Sequence, residues 1–175
     1  MRNKSTVYIT QGAVIAALYV VLTLLSQALG FMSFDVQFRL SEALCVLPLF
    51  TAAAVPGLAI GCLLTNIVTA CAPWDVVFGS LATFIGAALC RLVSVKLTGA
   101  GKRKLAVWLS PLPNILANTA ILPFVIKWVY ASEISIPLLA ILVFAGEVLS
   151  CALGIPLAFA LDRSHNILPP EGKRR

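Results

Sequence analysis

Long apolar segments separated by short polar ones make up almost all of this chain, and they limit its possible folds more than any other feature. A membrane-spanning α-helix needs about 20 apolar residues, so 175 residues have room for about six. The apolar runs are continuous and lack the alternation of a membrane β-barrel. We predict an all-α integral membrane protein with one domain. Its predicted spans are residues 7–30, 40–55, 57–72, 76–97, 105–130 and 134–161, and its tail is residues 162–175.

The composition supports this class and excludes others. The chain is 60% hydrophobic and 11% charged, whereas a soluble domain is about half apolar and about a quarter charged. The predicted spans also leave no room for a separate catalytic or nucleotide-binding domain. We therefore expect a protein whose function resides within the membrane bundle.

Lysine and arginine are distributed unequally between the two ends of the predicted spans. Only Arg39 and Lys127 fall on one side, and loops rich in these residues stay in the cytoplasm. We predict a six-helix bundle with both termini cytoplasmic, and we attribute the net charge of +6 to this topology rather than to nucleic-acid binding. The residues on the predicted cytoplasmic side are Arg2, Lys4, Arg91, Lys96, Lys102, Arg103, Lys104, Arg163, Lys173, Arg174 and Arg175.

No motif for catalysis or for metal binding is present. The five cysteines lack CxxC spacing, and we interpret them as small packing residues. The chain has no phosphate-binding GxxxxGK loop, no HExxH and no Ser/His/Asp set that could meet. We predict that the protein is not an enzyme and holds no metal or cofactor. Any ATP hydrolysis coupled to its function would belong to other chains.

Residues 35–48 are the exception to the apolar pattern. Asp35, Arg39 and Glu42 lie beside an apolar segment that Pro48 interrupts, and charges next to hydrocarbon need a partner, water or a ligand. Spans two and three are also short, and short or broken spans indicate binding sites in transporters. A tilted hairpin in a locally thinned bilayer is the alternative interpretation.

Three further polar residues fall inside apolar spans. At the rise of an α-helix, Glu147 and Asn118 lie about 20 Å from the outer ends of their spans and Asn66 about 9 Å. An ionisable residue in the middle of a span indicates a functional site. These depths predict a cavity that opens outward and closes near the midplane. The other candidates for its wall are Arg39, Glu42, Trp74 and Asp75.

Each candidate also has a structural interpretation. Glu147 could be a protonated, hydrogen-bonded carboxyl, and the two asparagines could link helices. Asp75 is placed to cap the N-terminus of span four, which is the interpretation we favour for it. Arg39 and Glu42 are three residues apart and could pair with each other, and Trp74 suits the membrane interface.

The first span carries two overlapping pairs of small residues, Gly12 with Ala16 and Ala13 with Ala17. Small residues four apart let a second helix approach closely in a membrane. From spacing alone, we favour packing within the bundle over contact with another protein.

Four segments resemble the QueT family of substrate-binding S components of energy-coupling factor transporters. The two more specific segments are Val36–Pro48 and Trp74–Thr83, and the others are Pro111–Asn114 and Gly146–Glu147 together with Leu153–Pro156. The resemblance covers nearly the whole chain. It implies uptake of a queuosine precursor, a deazaguanine base such as queuine or a pre-queuosine base.

The family resemblance also implies partners. An S component of this kind associates with a membrane T component and two ATPase subunits. In such proteins, alanines four residues apart in the first helix contact the T component, which here points to Ala13 and Ala17. The second pair begins with Gly12 instead of alanine.

The chemistry of a deazaguanine base matches several of the candidate residues. Its adjacent N–H and amine suit a carboxylate that accepts two hydrogen bonds, either Glu42 or Glu147. Its O6 would accept from an asparagine amide or from Arg39. An aminomethyl cation would face the other glutamate or Asp75. The aromatic residues suited to stacking on its flat face are Trp74 and Phe38.

Two other functions are compatible with the sequence. A stand-alone secondary transporter or channel could use Glu147 to relay a proton or cation, although the chain lacks a recognisable inverted repeat. A small membrane enzyme or assembly factor is the third hypothesis, and the lack of a nucleophile, base or metal constellation argues against it.

Overall fold

The computed structural model describes residues 3–31 and 38–163, and within these ranges the regular structure is helical. Asp35 of the polar stretch, Arg2, and the basic residues at 173–175 lie outside the described residues. The helices are α1 (Lys4–Ala28), a 3-10 helix (Leu40–Leu49), α2 (Ala54–Val68), α3 (Pro73–Gly99), α4 (Arg103–Leu109), α5 (Leu112–Val129), α6 (Ile136–Ala152) and α7 (Gly154–Arg163).

Four helical segments are long and apolar enough to cross a membrane. They are Lys4–Ala28, Pro73–Gly99, Arg103–Val129 and Ile136–Arg163, and the last two each consist of two consecutive helices. The all-α prediction is confirmed. The remaining apolar helices, Leu40–Leu49 and Ala54–Val68, are shorter, so the count of six spans stays a prediction.

The segment predicted as span two is different in structure from the expected α-helix. Its first part is a 3-10 helix in which eight of ten residues are buried, and Pro48 lies inside it. At a rise of about 2 Å per residue, ten residues extend about 20 Å, less than the hydrocarbon thickness of a bilayer. The segment that carries Glu42 therefore lies in the interior of the bundle.

Hydrogen bonds from α1 hold this 3-10 helix in place. The hydroxyl of Ser26 accepts from the backbone N–H of Leu40 at 2.8 Å, and the hydroxyl of Thr23 bonds to that of Ser41 at 2.7 Å. Both α1 residues are fully buried. Since polar groups buried in a membrane bundle need partners, these bonds connect the two segments firmly.

The junctions between spans also lie at different residues from those predicted. The structure places the turn at residues 50–53 and includes Pro56 in the first turn of α2, where proline is tolerated because those amides have no helical acceptor. The predicted spans 105–130 and 134–161 are each interrupted, at Ser110–Pro111 and at Leu153. By contrast, α5 continues through Pro123.

The helices pack as a series of neighbours around the 3-10 helix. Contacts run from α1 to α2, from α2 to α3, from α3 to α5 and from α5 to α6. The 3-10 helix touches α1, α3, α6 and α7. Side chains on this central segment can therefore meet groups from several helices at once.

Candidate functional site

The centre of the bundle contains a group of buried polar side chains from six helices, which we call the polar cluster. It consists of Tyr19, Arg39, Glu42, Asn66, Asp75, Asn114, Asn118 and Glu147.

Glu42 lies at the middle of this cluster and is 3% exposed. Its Oε1 accepts a hydrogen bond from the hydroxyl of Tyr19 on α1. Its Oε2 accepts one from Nδ2 of Asn114 on α5, at 2.7 Å. Each oxygen of Glu42 thus has a donor, and hydrogen bonds to a charged group are the stronger kind. The carboxylate is held between two helices.

Glu147 on α6 faces the same asparagine. Its Oε2 lies 3.5 Å from Nδ2 of Asn114 and 3.7 Å from the thiol of Cys151, and the amide of Asn118 donates to its carboxyl group. One amide therefore serves two carboxyl groups, with the shorter bond to Glu42. The structure thus brings these two candidate acids together.

Arg39 provides the positive charge of the cluster. Its Nη1 donates to Oδ1 of Asn66 at 3.5 Å, and its backbone N–H donates to the hydroxyl of Ser150 at 3.1 Å. Both Glu42 and Asp75 attract its guanidinium. The attraction between Arg39 and Glu42 is therefore one part of a larger charge arrangement.

Asp75 has a different role from the expected helix cap. The residue at the N-cap position of α3 is Ala72, and Asp75 lies within the first turn. Its Oδ2 accepts from the hydroxyl of Tyr130 at 2.8 Å, and that hydroxyl also accepts from the backbone N–H of Ala72 at 3.3 Å. The capping interpretation was wrong because a tyrosine from the end of α5 supplies the donor instead.

Two glycines of α3 make room for the amides of the cluster. A Cβ atom on Gly86 would lie 2.7 Å from both Cα and Oδ1 of Asn114. One on Gly79 would lie 3.0 Å from Nδ2 of Asn66. These two positions are seven residues apart and face the same way on the helix. A smooth face of α3 thus lies directly against the two asparagines.

The arrangement can recognise a polar organic group, and one part of it has the geometry of a cation site. The ligating atoms of Glu42, Glu147 and Cys151 all lie within 4.8 Å of one another. Carboxylates are also good acceptors for adjacent N–H groups, while asparagine amides and guanidinium groups donate to carbonyl oxygens. The cluster therefore contains both kinds of group that such a ligand needs, acceptors and donors.

Trp74 is not brought into the polar cluster. It is 62% exposed, stacks against Phe78 at a ring distance of 6.1 Å, and lines an apolar groove of about 740 Å³ between α3 and α5. Phe38 is half-buried and makes an edge contact with Phe31 at 5.5 Å. We call the groove lined by Trp74, Phe78, Phe124 and Trp128 the aromatic groove.

The two pairs of small residues on α1 face different ways. Ala16 is buried, and Cβ atoms on Gly57 and Gly61 of α2 would lie 2.8 Å from the carbonyl oxygen of Gly12 and 3.0 Å from that of Ala16. The pair Gly12 and Ala16 therefore packs inside the bundle against α2. The side chains of Ala13 and Ala17 are exposed.

Sequence reasoning missed Tyr19, Asn114 and Cys151. Tyr19 belongs to a polar series with Thr23 and Ser26 on one face of α1, and this spacing was a usable signal. Asn114 lies in Pro111–Asn114, one of the segments that resemble the family, but it was not predicted as a site residue. The thiol of Cys151 lies 3.7 Å from Oε2 of Glu147, four residues earlier on the same face of α6, so this spacing was also a usable signal.

Comparison with known proteins identifies the family. The family model described as QueT transporter matches residues 9–163, most of the chain. No curated protein and no solved structure matches the chain. Together with the long apolar helices, the family match establishes a multi-pass membrane protein with a role in transport. The chain belongs to the QueT transporter family.

Proposed function

We propose that this protein is the substrate-binding S component of an energy-coupling factor importer and that it captures a queuosine precursor from outside the cell. The family match supports a transport role. The observation that carries the proposal is the polar cluster, in which Glu42, Asn114 and Glu147 from three different helices meet inside an apolar bundle. Buried ionisable groups in a membrane protein mark substrate pathways.

A deazaguanine base offers groups that complement this cluster. Its ring N–H and exocyclic amine lie side by side and suit a carboxylate, which accepts two parallel hydrogen bonds. Its carbonyl oxygen suits a donor such as Arg39 or the amide of Asn66. In this proposal Glu42 reads the N–H groups, because Tyr19 and Asn114 fix its orientation.

The exposed alanines of α1 are the proposed contact with a T component. Ala13 and Ala17 present a surface of small side chains on the outside of the bundle. Small residues let a second membrane helix approach closely. Two ATPase subunits would then drive transport from the cytoplasmic side, on which we place both termini and the basic residues Lys96, Lys102 and Arg103.

Calorimetric titration of the purified protein with 7-aminomethyl-7-deazaguanine tests this function. We expect binding by the natural chain and a loss of about tenfold or more in Glu42→Gln, because a hydrogen bond to a charged group contributes about 1.5–3 kcal/mol. Glu133→Gln is the matched control, since it removes an exposed acid. Absence of binding to any deazaguanine base, or equal affinity in Glu42→Gln, would reject the proposed site.

The same protein in liposomes separates this function from a stand-alone transporter. An S component requires added T and ATPase subunits with ATP for uptake. Uptake by this chain alone would support the alternative in which Glu147, a buried carboxyl within α6, relays a proton or cation.

A further inference from the structure

The polar cluster contains more acids than bases. Among the described residues, the buried ionisable side chains with a formal charge are Arg39, Glu42, Asp75 and Glu147. All four are at least nine-tenths buried, with exposed fractions of 7%, 3%, 5% and 6%. Even if Arg39 fully neutralises one carboxylate, two acids remain. Burying an uncompensated charge is costly, so the cluster as a whole favours a positive group.

The two glutamates differ in how completely their neighbours satisfy them. Glu42 has one donor on each oxygen, from Tyr19 and from Asn114 at 2.7 Å. Oε2 of Glu147 has longer contacts, 3.5 Å to the amide of Asn114 and 3.7 Å to the thiol of Cys151. Both contacts of this oxygen are longer than either bond to Glu42, so it is held less firmly than the carboxylate of Glu42.

The two carboxyl groups also lie close enough to repel each other when both are ionised. They share one amide of Asn114, and burial reduces the screening that water would provide. A cation placed beside Glu147 relieves this repulsion. A neutral ligand in the same position leaves it in place.

We propose that the site selects deazaguanine bases that carry a protonated amine on the side chain, and that Glu147 is the specificity-determining residue that receives this ammonium group. The inference rests on the proposed function and extends it, because it names which precursors are bound. Glu42 accepts hydrogen bonds from the base, and Glu147 binds the charged group of its substituent. Close charge pairs at binding interfaces show coupling energies that exceed the cost of their dehydration in measured cases.

Two ligands that share one base and differ in charge test the inference without any variant. We expect 7-aminomethyl-7-deazaguanine, which carries an ammonium group, to bind the natural protein about tenfold or more tightly than 7-cyano-7-deazaguanine, which is neutral. Equal affinities for the two bases would overturn this inference and leave the proposed function intact. Failure of both bases to bind would reject the proposed function itself.

The variant Glu147→Gln assigns the selectivity to one residue. We expect it to lose about tenfold or more of its affinity for the aminomethyl base and to keep its affinity for the cyano base within about threefold, so that the preference largely disappears. Glu133→Gln, which removes an exposed acid, should retain the full preference. Equal weakening of both ligands in Glu147→Gln would show that Glu147 does not read charge, which would overturn the assignment.

Discussion

The polar cluster and the aromatic groove use the same two helices, α3 and α5, for opposite purposes. Gly79 and Gly86 of α3 face inward and lie against asparagine side chains of the cluster. Trp74 and Phe78 of the same helix line the exposed groove with aromatic residues of α5. Trp74 and the buried Asp75 are consecutive in sequence, yet they belong to different regions because successive residues point about 100° apart around a helix.

This contrast teaches that depth in the membrane and direction around the helix axis are separate quantities. Trp74 and Asp75 are neighbours in sequence with nearly the same depth, and both were candidates for one site. The direction of each side chain places Asp75 in the buried polar cluster and Trp74 in the aromatic groove, which faces outward. The following changes test whether the two regions are in fact independent.

The largest effect is expected for Asn114→Leu. This change keeps the branching of the side chain but removes the amide that serves both Glu42 and Glu147. Leaving buried acceptors without a donor should cost about 2–3 kcal/mol of unfolding free energy and weaken binding of the aminomethyl base by more than about tenfold. Denaturant unfolding in detergent, followed by tryptophan fluorescence, and calorimetry measure the two quantities. A stable variant with normal affinity would contradict the central place of Asn114.

A smaller effect is expected for Gly86→Ala. The added Cβ would meet the backbone and the side chain of Asn114 at 2.7 Å, so α3 and α5 must separate. Overpacking of this kind costs about 1–3 kcal/mol, and the displaced amide should weaken binding by a few fold.

Gly99→Ala is the control for this change, because no atom lies within 4 Å of its added Cβ. It should leave both stability and affinity unchanged within error. If Gly86→Ala behaves like Gly99→Ala in the thermal unfolding of the purified protein, the close approach of α3 to α5 is not required.

The smallest effect is expected for Trp74→Ala. Its ring is 62% exposed and stacks on Phe78 rather than on a member of the polar cluster. We expect the affinity for the aminomethyl base to change by less than about twofold, within the range typical of surface substitutions. A loss of tenfold or more would join the aromatic groove to the binding site and end the distinction between the two regions.

Sequence reasoning predicted the class of fold and most of the polar cluster because both depend on polarity along the chain. Glu42, Asn66 and Glu147 stand out wherever the surroundings are apolar. The direction in which a side chain points from its helix is harder to predict from sequence. Tyr19 and Asn114 meet Glu42 only because α1, α5 and the 3-10 helix are each rotated to face one another. The expected stacking role of Trp74 had the same weakness.

The breaks within the predicted spans were hidden for a related reason. Proline marks a place where a helix can stop, but Pro56 and Pro123 are both accommodated within helices while the chain turns at residues 50–53. The outcome depends on whether neighbouring groups satisfy the released backbone atoms. Nothing in the local sequence distinguishes these cases.

The close packing of α1 against α2 restricts rotation of α1 about its own axis. Gly57 and Gly61 admit the main chain of α1 so closely that a turn about its own axis would drive the ring of Tyr19 into the adjoining helix. On the inner face of α1, Tyr19 donates a hydrogen bond to Glu42, and on its outer face Ala13 and Ala17 are exposed. Because both features belong to one helix, a movement of α1 would shift Tyr19 relative to Glu42 and displace the outer alanines at the same time.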